Sequence, residues 1–344
     1  MAQSGASAAL DVRESPASDL TPVSPNGHLE SVDVYITSQC NRRCTYCFLP
    51  ADFFASGARM SMERFAEVVS WSQRHGVREI TLLGGEPSLH RSFLAMVSLA
   101  AAHGLKVRVV TNGARQFQRM LVATTIGKHN LSRVAVSLDT LDQTVQDRFR
   151  GPGAWQEATD TIRLLRKHEV PFDINVTAVR PVLSGLDDLI RFAEHDGCRR
   201  VNIHWPSAMG IGSELSADQI PGRDDWEALV RRIGSRVETQ PGFFVEIERG
   251  FLTEGELLTG CALVGFSNLE VMPDGRAYRC GLLVDQPAMA SLTMAGHELR
   301  LFRPSYGEEL LLSTMPSSCD GCPVIRADGR RACIFDKVSS LSPG

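Results

Sequence analysis

From residue 31 to about residue 240 the sequence alternates short β-branched runs with amphipathic stretches, and nothing else in it restricts the fold as tightly. The runs that read as strands are Val32–Thr37, Glu79–Leu83, Lys106–Thr111, Arg133–Leu138, Phe172–Val179 and Val201–Trp205. Helical periodicity fills the gaps at Met62–His75, Arg91–His103, Arg115–Lys128, Ala154–His168 and Leu186–His195, and a last helix is expected near Asp224–Val237. A helix between successive strands returns the chain to the same end of the sheet, so the strands must run parallel. The fold class expected is α/β, a partial (β/α)6 TIM-like barrel, open or partly closed, with a small C-terminal appendage.

Parallel strands covered on both faces should be apolar throughout. Here they are not. Asp33, Tyr35 and Thr37 alternate with Val32, Val34 and Ile36; Asp173, Asn175 and Thr177 alternate with Phe172, Ile174 and Val176; Asn202 and His204 alternate with Val201 and Ile203. Side chains on a strand point to opposite faces in turn, so one face packs on helices and the other is polar. A polar face inside a barrel must meet water or a ligand. Tyr35, Asn175, Thr177 and His204 are therefore candidate substrate-handling residues; the plainer alternative is a solvated sheet edge.

The bulk numbers exclude several classes. The formal net charge is −4 and the charged fraction 22%, so the basic field of a nucleic-acid binder is missing. No apolar run approaches a membrane span, and the first 30 residues lack the basic and apolar regions of a secretory signal. Rich in Ser, Ala and Pro, they read as a disordered tail, giving a division into 1–30, a core of 31–241 and an appendage of 242–344. A cytoplasmic location is expected. In a reducing compartment the nine cysteines, eight of them grouped toward the two ends, point to metal or catalysis rather than to disulfides.

The first group, Cys40-Asn-Arg-Arg-Cys44-Thr-Tyr-Cys47, follows the first strand directly. Three thiolates in eight residues can wrap one soft metal centre, and no nearby Cys or His completes a structural zinc set. Three ligands on an iron–sulfur cubane leave one iron open for chemistry.

CxxxCxxC with an aromatic residue before its last cysteine, Gly84-Gly85-Glu86-Pro87 after the second strand, Thr111-Asn112-Gly113 after the third and Ser137-Leu138-Asp139 at the end of the fourth together resemble the radical S-adenosylmethionine (SAM) superfamily over about residues 31–240. The resemblance implies a SAM-binding [4Fe–4S] cluster on Cys40, Cys44 and Cys47. It implies SAM contacts from Gly84, Gly85, Glu86 and Ser137, with Arg150 a candidate partner of the SAM carboxylate. It also implies reductive cleavage of SAM to a 5′-deoxyadenosyl radical, with a flavodoxin or ferredoxin as external one-electron reductant.

The second group is Cys261, Cys280 after a Pro273-Asp274-Gly275 turn, Cys319-Asp-Gly-Cys322, and Cys333. Four thiolates close a cubane or suit a zinc ribbon. The spacing Cys261-x13-Gly275-x4-Cys280 resembles the twitch extension of radical SAM enzymes, a shortened relative of the SPASM domain. That resemblance implies an auxiliary [4Fe–4S] cluster on Cys261, Cys280, Cys319 and Cys322. Cys333 is left as a structural thiol, an alternative ligand or a hydrogen-atom donor, and Cys198 as a small buried residue.

The reaction expected is hydrogen abstraction from a small natural-product intermediate of sugar, aminocyclitol or nucleoside type, with net oxidation. The alternatives are modification of a ribosomal peptide, by epimerisation or cross-linking, and a catalytically silent Fe–S or zinc protein that binds a partner.

Overall fold

The computed structural model describes Leu29 and residues 31–123, 131–207, 209–233, 236–248, 269–278, 292–295 and 298–301. Cys261, Cys280, Cys319, Cys322 and Cys333, and all but Leu29 of the expected tail, lie outside the described residues.

The six expected strands are present as β1 (Ser31–Thr37), β2 (Glu79–Gly84), β3 (Lys106–Thr111), β4 (Arg133–Ser137), β5 (Phe172–Thr177) and β6 (Arg200–His204). Each pairs in parallel with the next in sequence. The crossovers carry α1 (Ala51–Ala55), α2 (Met62–Arg74), α3 (Phe93–Ala102), α4 (Arg115–Ala123), α5 (Gln143–Arg150), α6 (Ala154–Lys167) and α7 (Leu186–His195), and α8 (Arg223–Ile233) follows β6. The fold is α/β with a mostly parallel sheet, as the alternation requires.

The two strand faces separate as the alternation predicts. Val32, Val34, Ile36, Val134, Val136, Ile174, Val176, Val201 and Ile203 join the helices in one apolar cluster; Tyr35, though buried, stays outside it. Burying apolar surface at about 25 cal/mol per Å² makes this face the main source of stability. The opposite face carries the polar residues, with Asn175 beside Asn202 and Thr177 beside His204 in register.

Three elements depart from the sequence reading. Helix α5 was not expected, because Val145 and Phe149 are the only large apolar residues in Gln143–Arg150. Its start is secured by Asp142, whose carboxylate accepts the Thr144 and Val145 N–H groups at 2.8 and 3.1 Å. The helix expected to run to Val237 ends at Ile233, and β7 (Arg236–Gln240) follows. It forms a hairpin with β8 (Phe243–Ile247), which pairs in parallel with β6.

On the other side of β1 lie β9 (Glu270–Val271), parallel to it, then β10 (Arg276–Tyr278), β11 (Leu292–Ala295) and β12 (Glu298–Leu301), all antiparallel. The sheet therefore reads β12-β11-β10-β9-β1-β2-β3-β4-β5-β6-β8-β7.

Candidate functional site

The cysteine loop leaves the carboxyl end of β1 and is held from two sides. On the β2 side, Gly85 N–H donates to Thr37 O at 2.8 Å and Glu86 N–H to Gln39 O at 2.7 Å. The chains approach so closely that a β-carbon on Gly84 would lie 2.2 Å from Thr37 O, and one on Gly85 2.3 Å from Gln39 O and 2.9 Å from the Cys40 β-carbon. The two glycines admit the backbone at the end of β1 and the start of the cysteine loop.

Glu86 departs from expectation. Its side chain is fully buried, and Ser88 N–H, the hydroxyls of Ser88 and Thr111, and Asn112 N–H all donate to it at 2.7–3.2 Å. Burial raises its pKa, while those donors pull the other way. The carboxylate thus ties the end of β2 to the end of β3, and it is not presented to an incoming ammonium group.

The other side of the loop rests on α5 and the start of α6. Thr45 N–H donates to Phe149 O at 2.9 Å. Buried Arg42 donates to Gly151 O at 3.1 Å, to Pro152 O at 2.5 Å and to the Glu157 carboxylate at 2.5 Å. The Tyr46 ring stacks on Phe149, centroids 6.2 Å apart, and its hydroxyl donates to Asp139. Beyond the third cysteine, Gly212 N–H donates to Cys47 O at 2.8 Å and Ile211 N–H to Leu49 O at 3.3 Å. Gly210, at φ +53°, packs on Phe48 O where a β-carbon would come within 2.3 Å.

All three cysteines are half-buried. Burial pushes the Cys40 thiol up to about 11 and the Cys47 thiol up to about 12, and it raises Cys44 as well. Two thiols of the trio also feel a neighbour: Cys44 acts on Cys40, and Cys40 and Cys44 act on Cys47. Among the described residues no three His, Cys, Asp or Glu side chains are drawn close enough to clasp an ion. The donor set still fits an iron–sulfur cluster: three soft ligands from one loop share one low-dielectric neighbourhood, and N–H groups point at sulfur. Arg42 N–H lies 3.4 Å and the Asn112 amide 3.6 Å from the Cys40 sulfur. Positive iron would supply what these thiols need in order to ionise.

The remaining predicted residues divide. Ser137 ends β4 beside Asn175, whose amide oxygen accepts from Asn202 at 2.8 Å. Asn175 and Thr177 are half-buried and His204 is exposed, its ring 3.6 Å from Glu248, so the polar ends of β4, β5 and β6 lie side by side. Tyr35 does not join them. It is 1% exposed, packs edge-on against Phe53 and shares a hydrogen bond with Glu270 of β9, so it links two strands. Burial and that carboxylate raise its pKa well above the usual phenol range.

Arg150 is likewise engaged within the protein. It grips Asp139 bidentately at 2.7 and 2.7 Å, so its guanidinium is paired there and not held out for a ligand carboxylate. Asp139, Tyr46, Arg42 and Thr111 went unassigned from sequence; the only signal was their place inside or beside the quoted motifs.

Residues 34–192 match the model of the radical SAM superfamily. The match covers a little under half of the chain. The chain is similar to a probable GTP 3′,8-cyclase of Thermococcus kodakarensis, 27% identical over 165 residues, 48% of this chain and 53% of that one. The chain thus spans about half the length of that relative. Mycofactocin maturase MftC of Mycobacterium tuberculosis is 26% identical over 299 residues, 83% of this chain and 74% of the relative. In fold, the chain resembles the crystal structure of Streptococcus suis SuiB bound to S-adenosylmethionine, with a TM-score of 0.64 at 15% identity over 92% of this chain and 75% of that one. No described helix is long and apolar enough to cross a membrane.

Proposed function

We propose that this chain binds a [4Fe–4S] cluster through Cys40, Cys44 and Cys47 and uses it to cleave S-adenosylmethionine reductively. When bound, the cluster supplies the low-potential electron, drawn from an external one-electron reductant, that converts SAM into methionine and a 5′-deoxyadenosyl radical. The observation that carries this reading is the cysteine loop itself, doubly clamped at the carboxyl end of a parallel sheet within the matched radical SAM segment. In this reading the protein's own residues hold the three thiolates, exclude water from around them and present the polar ends of β4, β5 and β6 to the substrate.

The substrate reading is a small hydroxylated or nucleoside-like molecule undergoing net oxidation, supported by the uncharged hydrogen-bonding row Ser137, Asn175, Asn202 and Thr177. A peptide is the second reading. It is favoured by the exposed His204–Glu248 end of the row and by the similarity to a maturase over 299 residues. An auxiliary cluster on Cys261, Cys280, Cys319 and Cys322 belongs to either reading as the acceptor of a second electron.

The test is anaerobic reconstitution followed by SAM and dithionite. About eight irons per chain, and release of 5′-deoxyadenosine, are expected. The Cys40→Ala, Cys44→Ala, Cys47→Ala triple variant should keep about four irons and release none. Retained SAM cleavage in that variant would falsify the assignment.

A further inference from the structure

The carboxylate of Asp139 is a four-way junction. Its Oδ1 accepts from Arg150 Nη2 at 2.7 Å and from the Thr177 backbone N–H at 2.8 Å. Its Oδ2 accepts from Arg150 Nε at 2.7 Å and from the Tyr46 hydroxyl. The Asp139 N–H is in turn held by the Gln146 amide oxygen at 2.9 Å. One side chain, 1% exposed, thereby joins the cysteine loop, the end of β4, helix α5 and the backbone of β5.

Stability alone is a poor account of such a group. Two buried charges are costly to desolvate, and well-packed apolar residues of similar volume often serve as well or better. Location is the informative fact. Tyr46 lies between Cys44 and Cys47, and its ring stacks on Phe149 and carries the Arg150 guanidinium over it, 5.2 Å from the centroid. Arg150 and Asp139 act on the Cys44 sulfur with opposite sign. On the far side of the junction, Thr177 belongs to the polar row assigned to substrate.

We propose that Tyr46, Asp139 and Arg150 are positioning residues for the metal-bound thiolates of Cys44 and Cys47: they fix that arm of the loop and set the reduction potential of its cluster, by tethering it to β5 at Thr177. This rests on the cluster assignment made above. Arg150 balances the Asp139 charge, and the neutral phenol points the positive end of its O–H dipole at the carboxylate. Removing the hydroxyl leaves the net charge unchanged but takes away that dipole, so the carboxylate's field at the cluster is less screened and adding an electron there becomes harder.

The experiment is an EPR-monitored redox titration of the reconstituted wild type and of Tyr46→Phe, with and without SAM, alongside iron counts and thermal melts. Tyr46→Phe keeps the ring on Phe149 and loses only the hydroxyl, so full iron loading is expected. Its SAM-binding cluster should show altered g-values and a potential more negative than wild type. Lowered thermal stability with wild-type g-values and potential would overturn the proposal, because glue alone would act that way.

Should Tyr46→Phe fail to load iron, the titration is read on Arg150→Lys, which keeps the charge but cannot grip Asp139 bidentately. A shift there supports the proposal, and wild-type values there overturn it. Failure of the cluster assignment would look different: the wild-type protein itself would show no SAM-responsive EPR signal lost in the triple cysteine variant.

Discussion

Replacing Gly85 by alanine tests whether the Gly-Gly-Glu-Pro turn serves the cysteine loop. The added β-carbon would lie 2.3 Å from Gln39 O, 2.6 Å from Gln39 C and 2.9 Å from the Cys40 β-carbon. Two of those atoms are backbone, and none can swing aside. The cysteine loop must retreat by about 0.7 Å before the shortest contact reaches the 3.0 Å that β-carbons tolerate. Forcing one extra carbon into a tight site costs about 1–3 kcal/mol, and a rigid contact sits at the upper end. That retreat moves Cys40 directly, and with it the sulfur that accepts from the Asn112 amide. Gly104→Ala is the control: at φ +77° with nothing within 4 Å of the added carbon, it introduces backbone strain of about 1 kcal/mol far from any cysteine. Iron per chain and the melting midpoint should be measured after identical anaerobic reconstitution. Both variants should melt lower, and Gly85→Ala alone should lose most of the SAM-binding cluster and its SAM cleavage. Full iron content and wild-type cleavage in Gly85→Ala would refute the reasoning.

Glu86→Gln should cost about 1–3 kcal/mol, because an amide NH2 group would face donors that now share a carboxylate. Burial raises the Glu86 pKa above the 4.5 of an ordinary glutamate, so the folded state keeps that proton longer than the unfolded chain does. Its contribution is then present below pH 4.5 and lost as pH rises, and denaturant melts of Glu86→Gln should show a flatter stability profile in that window. Cys198, with its thiol pushed up to about 12 by burial, should resist N-ethylmaleimide at pH 8 in the native protein and react fully in guanidinium, as read by peptide mass spectrometry. Asn175→Ala and His204→Ala should leave SAM cleavage without substrate near wild type, while product formation falls; unchanged turnover in both would remove the polar row from substrate binding.

The strands, their parallel order and the polar face were legible in the sequence because they follow from periodicity, and every residue of a strand reports its own face. Lys106–Thr111 and Leu186–His195 have the bounds their periodicity indicates. The cysteine loop was legible for a similar reason: its three cysteines are close in sequence, so no long-range contact is needed to bring them onto one loop. Partner choice was beyond reach. Glu86, Arg150 and Tyr35 are groups that could serve a ligand, and sequence gives no means of telling that Thr111, Asp139 and Glu270 already engage them. Those partners come from other elements, 25 residues away for Thr111 of β3 and 11 for Asp139 just past β4, and in the case of Glu270 from a strand that joins the sheet beside β1. Helix α5 was hidden too, since two apolar residues make too faint a stripe until the cysteine loop packs on it. A single chain determines its own repeat; which buried charge meets which is decided only when separate strand ends converge and desolvation obliges each charge to find a partner.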